Sequence, residues 1–148
     1  MARSTWTRAI AVASFPLAAL GGCAITSGSG LSATEARDAL YESLDMTETT
    51  LGGEWENRDD PTARGCIIPL WVEGKHYPGL RLGGTPSNVD RVVAKVIEAW
   101  EDWGYRVEQT LVGDIVELQG RDSVGELMIF RVSAEAMTLQ GESECRPN

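Results

Sequence analysis

The sequence predicts an α+β fold, a two-layer sandwich in which two helices pack on one face of an antiparallel sheet held by a single disulfide. Two segments have helical apolar periodicity, and short β-leaning segments separated by turn residues follow each of them. Short strands that return on each other through tight turns pair antiparallel, and the helices then cover one face of the sheet. The order helix, short strands, helix, strands therefore indicates this fold class.

The first helix is marked by its N-terminus. Ser32 and Glu35 have the spacing of a capping box, in which each side chain bonds the other residue's backbone N–H. We expect the helix to end near Asp45 to Thr47, before Gly52 and the next glycine turn the chain. Its apolar side chains recur every four residues and form one stripe, made of Ala36, Leu40 and Leu44.

The segment between the two helices is predicted to contain short strands. Trp55 marks the first of them. The apolar run 66–72 is expected to be one strand, and Pro69 within it favours the edge of a sheet or a bulge. We expect a turn-rich connection at 74–79 and a further strand over 80–82.

The second helix has the widest apolar stripe in the chain. Ser87 is its expected N-cap, and Gly104 suits the position just beyond its last turn. The charged residues occupy the opposite face, so the helix is amphipathic. The stripe follows three- and four-residue spacings and contains Val89, Val92, Val93, Val96, Ile97 and Trp100.

The segment after the second helix is predicted to be a run of strands. Turn residues such as Gly113 and Asp114 separate short alternating segments, so consecutive strands should form an antiparallel meander. We expect the most apolar of these strands to lie against Val93, Ile97 and Trp100 of the second helix. Its inward face consists of Met128, Phe130 and Val132.

The N-terminus has the layout of an export signal. Arg3 and Arg8 precede a mostly apolar run that leads from Ala9 into Leu20-Gly21-Gly22-Cys23. A basic region, a short apolar stretch and small residues are typical of signal peptides. The run is shorter than the roughly 20 apolar residues that a helix needs to span a bilayer. An uncleaved anchor and an ordinary secretory signal with a chance cysteine are the alternatives.

This stretch resembles the lipobox of bacterial lipoprotein precursors. The resemblance implies cleavage before Cys23, whose thiol carries a diacylglyceryl group and anchors the protein at the extracytoplasmic face of the cell membrane. Two acyl chains give stable anchoring, whereas one binds only marginally. The chain then divides into a cleaved signal peptide at 1–22, the lipidated cysteine with a flexible linker at 23–31, and a single α+β domain at 32–148.

The mature chain is strongly acidic. Removal of residues 1–22 takes away two of the 13 basic residues and none of the 22 acidic ones, so the formal net charge of −9 becomes −11. Nucleic acids and anionic lipid surfaces repel a chain of this charge. We therefore expect no nucleic-acid partner and a membrane contact through the anchor at Cys23.

Two of the three cysteines remain after lipidation, Cys66 and Cys145. In an exported protein an even remainder predicts a disulfide, and two cysteines allow one connectivity. Two isolated thiols without a nearby histidine do not make a zinc site. No metal and no other cofactor is expected.

The mature chain as a whole resembles small cell-envelope lipoproteins of high-GC Gram-positive bacteria. The shared features occur in one order: the lipobox cysteine, a tryptophan strand, a mid-chain cysteine, a helix ending in Trp-x-x-x-Gly-Tyr, a β meander and a cysteine near the terminus. In this chain they are Cys23, Trp55, Cys66, the segment 100–105 and Cys145. The resemblance implies location, fold and disulfide, and it assigns no catalytic residue.

Few residues are candidates for a functional site. The one histidine, His76, lies in a predicted turn without a recognisable nucleophile motif, so an enzyme is not expected. Trp71 and Tyr77 flank the same turn, and with His76 they form a candidate surface for a ligand or partner. The alternative is that Trp71 packs under the sheet edge and Tyr77 covers it.

Two functions are consistent with this sequence. The first is a lipid-anchored, non-enzymatic module that binds an envelope protein or peptide near the membrane. The second is the binding of a small ligand or cell-wall glycan through the region of Trp71 and Tyr77. A flat apolar patch would favour a protein partner, and a concave aromatic site with convergent polar groups would favour a ligand.

Overall fold

The computed structural model describes residues 28–147, which form two helices and nine strands. Cys23 and the rest of the predicted lipobox lie outside the described residues. In chain order the elements are α1 (Ala33–Leu51), β1 (Trp55–Asn57), β2 (Arg64–Ile68), β3 (Val72–His76), β4 (Pro78–Gly83), α2 (Val89–Asp102), β5 (Arg106–Val112), β6 (Ile115–Arg121), β7 (Leu127–Val132), β8 (Met137–Glu142) and β9 (Arg146–Pro147).

The larger sheet has six strands in the order β1-β4-β8-β7-β6-β5, and every pair is antiparallel. The last four strands in sequence before β9 form the predicted meander. α1 packs on β4 and β8, and α2 packs on β5 and β6, so both helices lie on one face. The predicted α+β sandwich is therefore confirmed.

A second sheet of three strands, β2-β3-β9, was not predicted. The run 66–72 is not one strand but the end of β2, a tight turn and the start of β3. The expected turn at 74–79 is also wrong, because β3 continues to His76 and β4 begins at Pro78. The turn was missed because Leu70 and Trp71 form it with positive φ angles of 73° and 64°, a conformation that favours glycine or asparagine.

The predicted disulfide between Cys66 and Cys145 is confirmed, with the two Cα atoms 6.1 Å apart. It connects β2 to the segment just before β9. The disulfide passes over Gly74 of β3. A Cβ atom at this glycine would be only 2.9 Å from the Cys145 Sγ atom. The absence of a side chain on Gly74 thus lets the disulfide cross the middle strand of the small sheet.

The core lies between the helices and the six-stranded sheet. Trp100, Phe130 and Leu40 are among its largest fully buried side chains. Val93 and Trp100 of α2 share this buried cluster with Phe130 of β7, as predicted, and the half-buried Ile97 packs against it. The strands that α2 packs on directly are β5 and β6. The buried residues of this cluster are Leu40, Leu44, Val92, Val93, Val96, Trp100, Tyr105, Leu118, Met128, Phe130, Val132, Met137 and Leu139.

The capping box of α1 is confirmed: the Glu35 N–H donates to Ser32 Oγ, and the Ser32 N–H donates to Glu35. The helix continues to Leu51, beyond the predicted end. Its last turns are rich in threonine, whose hydroxyls donate to carbonyls four residues back instead of ending the helix. Thr47 among them is buried and accepts a hydrogen bond from Trp100 Nε1 at 3.0 Å.

The N-terminus of α2 differs from the prediction by one residue, and its C-terminus agrees with it. Asn88, not Ser87, is the N-cap, and its side chain accepts a hydrogen bond from the Arg91 N–H at 2.8 Å. Asparagine and serine are about equally good caps, so propensity alone does not separate them. Gly104 has a φ of 91° after the last turn, as expected for a residue that ends a helix in the left-handed conformation.

Two glycines let the helices approach the sheet. A Cβ atom on Gly120 of β6 would lie 2.7 Å from the ring of Trp100. A Cβ atom on Gly141 of β8 would lie 2.5 Å from Leu40 Cδ1. Both contacts are shorter than packed side chains adopt, so each large side chain occupies the space left by a glycine.

We predict that Gly120→Ala lowers the free energy of unfolding by about 1–3 kcal/mol, because the added methyl group must displace a rigid, fully buried indole. Urea unfolding measures this. Gly65→Ala is the matched control, since Gly65 is also a strand glycine but has no atom within 4 Å of the added Cβ. The control should be unchanged or slightly stabilised. Equal effects at the two positions would contradict the close approach of α2 to the sheet.

Candidate functional site

The most exposed apolar surface is at the end of the β2–β3 hairpin. Leu70 and Trp71 are 91% and 90% exposed, and Ile67 and Val72 beside them are also exposed. We call these four residues the hairpin tip. No charged residue occurs from Cys66 to Val72. Exposed apolar residues grouped in this way mark an interaction surface more often than isolated ones do.

The structure does not bring Trp71 and Tyr77 together. The whole of β3 separates them, a distance of about 20 Å at roughly 3.3 Å per strand residue. Trp71 does not pack under the sheet edge, and Tyr77 does not cover it. Tyr77 is half-buried elsewhere, with the Arg37 guanidinium 5.4 Å from its ring centre and its backbone bonded to Ser143.

His76 lies at the edge of the face of the six-stranded sheet that the helices leave uncovered. Its Nδ1 atom is 3.9 Å from Glu142 Oε2. A shallow cleft of about 230 Å³ adjoins Glu142, and we call it the outer cleft. It combines an apolar floor with polar groups at the rim. Its lining includes Arg64, Pro78, Leu80, Leu127, Ile129, Gln140 and Glu142.

The middle of the uncovered face is a closed polar ladder. Arg131 donates hydrogen bonds to Glu117 at 2.6 Å and to Gln140 at 2.8 Å. Gln119 donates to Glu117 at 2.7 Å. The hydrogen bond from Gln119, followed by that from Arg131, holds the pKa of Glu117 below its usual value. These groups satisfy one another and stabilise an exposed sheet face.

β5 forms an exposed edge of the six-stranded sheet. Within the described residues it pairs with β6 alone, and only Val107 among its seven residues is even half-buried. Its second half is apolar, with Leu111 71% exposed and Val112 61% exposed. Ile115 continues this apolar surface on β6. An edge of this kind presents unpaired backbone N–H and C=O groups to another chain.

Arg81 is a charged residue that faces the core. Its side chain is 3% exposed, and its guanidinium contacts Asp59, Asp45 at 3.0 Å and Glu48 at 2.7 Å. Burial is the main cause of a raised pKa at Glu48, partly opposed by Arg81. Three carboxylates around one cation leave no free positive charge for an anionic ligand. The cluster therefore connects α1 to β4 and is not a binding site.

A second buried cluster joins Tyr105, Glu126 and Ser43. The Tyr105 hydroxyl contacts Glu126 Oε1 and is 3.2 Å from Ser43 Oγ. Burial raises the pKa of Tyr105 well above its usual value, and the adjacent carboxylate raises it further. Burial likewise raises the pKa of Glu126, opposed by the hydrogen bond from Tyr105. This buried pair connects the residue before β5 to the residue before β7.

Neither a metal site nor a membrane-spanning helix is found between residues 28 and 147. No group of three or more His, Cys, Asp or Glu side chains there is arranged to hold a metal ion. Neither α1 nor α2 is long and apolar enough to cross a bilayer. The two cysteines in this range are joined to each other and do not titrate.

Comparison with known proteins supports the fold. No family model matches the chain. No curated protein matches it either. The crystal structure of a DUF4853 family protein from Actinomyces odontolyticus is similar, with a TM-score of 0.62 and 19% sequence identity over 81% of this chain and 71% of that one. At this identity the similarity shows a shared fold.

We predict that Glu126→Gln gains stability relative to the natural protein as pH rises from 4 to 7. The native pKa of Glu126 lies above its ordinary value of 4.5, so the native state binds the proton more tightly than the unfolded state does. The native state therefore loses stability as pH rises through this window. Glutamine keeps an oxygen for the Tyr105 hydroxyl without the buried charge. Urea unfolding at both pH values measures the change.

Glu117→Gln is the control of opposite sign. The native pKa of Glu117 is lowered, so this carboxylate contributes stability above pH 4.5 that is lost on acidification. The Glu117→Gln protein should therefore lose stability relative to the natural protein as pH rises. A stability difference at Glu126 that does not vary with pH would disprove its raised pKa.

Proposed function

We propose that the chain is a lipid-anchored, extracytoplasmic module without enzymatic activity that binds an extended segment of an envelope protein. The lipobox around Cys23 supports the anchor, and the Gly-Ser stretch after it supports a short tether. The disulfide between Cys66 and Cys145 supports folding outside the reducing cytoplasm. The binding role rests on the exposed edge strand β5.

The β5 edge suits strand addition. An extended peptide gains backbone hydrogen bonds along such an edge, and side-chain contacts at alternate positions select its sequence. The first half of β5 carries Arg106 and Glu108, which discourage indiscriminate pairing, whereas the second half ends in Leu111 and Val112. The partner segment would therefore be apolar where it meets this end of β5, next to Ile115.

The absence of enzymatic activity is supported by the state of the reactive side chains. The histidine lies beside Glu142 at 3.9 Å, on an open face of the sheet. Both cysteines in the described part of the chain are joined in the disulfide, so neither is a nucleophile. The buried carboxylates at Glu48 and Glu126 contact neighbouring Arg81 and Tyr105, which places them in structural clusters.

Small-ligand or glycan binding is the second candidate function. The outer cleft is a better site for it than the surface first expected at Trp71 and Tyr77. The cleft places Arg64, Gln140 and Glu142 around an apolar floor, the combination that ligand sites use. Its volume of about 230 Å³ is below the usual 300–1,000 Å³ of such sites. This volume argues against a small ligand at the outer cleft and supports the protein partner proposed above.

We predict that Cys23→Ser abolishes lipid attachment. Serine lacks the thiol that forms the thioether, so the precursor should remain uncleaved before residue 23 and unlabelled by a fatty-acid probe. Labelling in cells followed by gel electrophoresis measures this. Cys66→Ser is the control for cysteine loss and should still be labelled. Normal labelling of the Cys23→Ser protein would rule out the lipid anchor.

We predict that a photo-crosslinking amino acid at Thr110, on the β5 edge, captures one discrete envelope protein in intact cells. The same probe at Glu98, which is exposed on α2, is the matched control and should capture none. Leu111→Glu should remove the Thr110 crosslink by placing a charge in the contact. Because Leu111 is 71% exposed, this change should alter the free energy of unfolding by less than about 0.5 kcal/mol.

Equal crosslinking from Thr110 and Glu98, or a Thr110 crosslink that persists in the Leu111→Glu protein, would overturn the β5 proposal. Crosslinks that appear instead from a probe at Gln140 would move the binding site to the outer cleft.

A further inference from the structure

We infer that the hairpin tip enters the interfacial layer of the same bilayer that holds the lipidated Cys23, giving the domain a second membrane contact. This inference rests on the lipid anchor proposed above. It concerns the four residues Ile67, Leu70, Trp71 and Val72, and it assigns the bilayer, not a protein, as their partner.

The described chain begins beside the small sheet that carries the tip. The Ser29 N–H donates to Glu144 at 3.1 Å, and Arg146 Nε donates to the Leu31 carbonyl at 2.6 Å. Arg146 is also the antiparallel partner of Lys75 in β3. The chain that leads from the anchor is therefore fixed to β9, one strand away from β3.

The tether lets the tip reach the lipid. Cys23 is five residues before Gly28, and five fully extended residues span at most about 18 Å. Trp71 is four residues along β3 from Lys75, about 13 Å at roughly 3.3 Å per residue. The tether and the outer part of β3 both start near the pairing of Arg146 with Lys75, and their lengths are similar. The anchor and the tip can therefore contact the same bilayer surface.

The chemistry of the tip matches the interfacial layer. Tryptophan is enriched at the boundary between lipid headgroups and hydrocarbon, and leucine is favourable in the hydrocarbon. The run 66–72 carries no charge, and the nearest one is the exposed Glu73, the cross-strand partner of Ile67 at the base of the tip. The small-sheet strands carry three basic residues and one acidic residue in a chain that is otherwise acidic. Arg146 pairs with Glu144 and Arg64 pairs with Asp60, which leaves the small sheet close to neutral, whereas the chain as a whole is acidic.

The backbone of the turn gives an independent reason to assign a role to these side chains. Leu70 and Trp71 both have positive φ, which costs a residue with a Cβ atom free energy that glycine or asparagine largely avoids. Neither side chain recovers this cost by packing, because both are about 90% exposed. Large apolar residues at two strained, exposed positions are accounted for by a contact outside the domain.

A bilayer suits the shape of the tip better than a protein does. The tip is the projecting end of a three-residue turn, Pro69 to Trp71, and the hollow nearest to it lies along the strands behind it. A specific protein contact would require a pocket on the partner for both side chains. A bilayer interface accepts them without one, and the tether already holds it within reach.

The test uses lipidated protein purified from membranes and incorporated into phosphatidylcholine vesicles whose acyl chains carry bromine, a short-range quencher of tryptophan fluorescence. Trp71 should be quenched, so the natural protein should lose a fraction of its emission that the Trp71→Phe protein does not lose. The matched control carries Val112→Trp in the Trp71→Phe background. Its tryptophan is at the other exposed hairpin end, at the last residue of β5, and should not be quenched by the lipid.

Flotation of the same vesicles separates the two proposals. Protein that floats with Trp71 quenched supports the inference. Protein that floats while Trp71 is quenched by aqueous iodide and not by brominated lipid overturns the inference and leaves the anchor intact. Protein that does not float and shows no quenching at Trp71 overturns both. Equal lipid quenching at positions 71 and 112 also overturns the inference, because it shows non-specific contact.

Discussion

The packing of Trp100 is the interaction on which the two-layer fold depends. Its indole is fully buried, lies against the backbone of Gly120 in β6 and donates its N–H to Thr47 in α1. One side chain of α2 therefore contacts the other helix and the sheet at once. Burial of an indole N–H without a partner would cost about 1–3 kcal/mol, and Thr47 removes that cost. Thr47 lies where α1 was predicted to end, and the helix continues for one more turn to Leu51.

The small sheet has few buried side chains of its own, and the disulfide between Cys66 and Cys145 holds it to the end of the chain. The two cysteines are 79 residues apart in the sequence. Closing a loop of that length stabilises the folded state by ~4.5 kcal/mol in the chain-entropy model. A projecting hairpin that buries little of its own surface can be retained for this reason. Its exposed tip is then free to contact something outside the domain.

Local patterns predicted the parts of this fold that local physics determines. The capping box at Ser32, the stripe of α2 and the meander follow from spacing within a few residues. The turn at Leu70 and Trp71 was missed because its residue types do not favour a turn. In β4 the strand over 80–82 was expected without its orientation: Arg81 faces the helices and Leu80 faces the outer cleft, because carboxylates on α1 and in the loop after β1 surround the guanidinium. Trp71 and Tyr77 do not form one candidate surface for a related reason. The sequence predicts a turn between them, and the structure has the strand β3 there instead.

The topology relates the proposed partner site to the proposed membrane contacts. The small sheet adjoins β4 through Tyr77, and β5 lies four strands away from β4 in the six-stranded sheet. At about 4.8 Å per strand, that separation is roughly 19 Å. A lipid anchor alone would let the domain rotate freely on its tether and present β5 in every direction. A second contact at the hairpin tip would restrict that rotation and hold the edge of β5 at a defined position relative to the bilayer, which lowers the entropy lost when an envelope protein binds there.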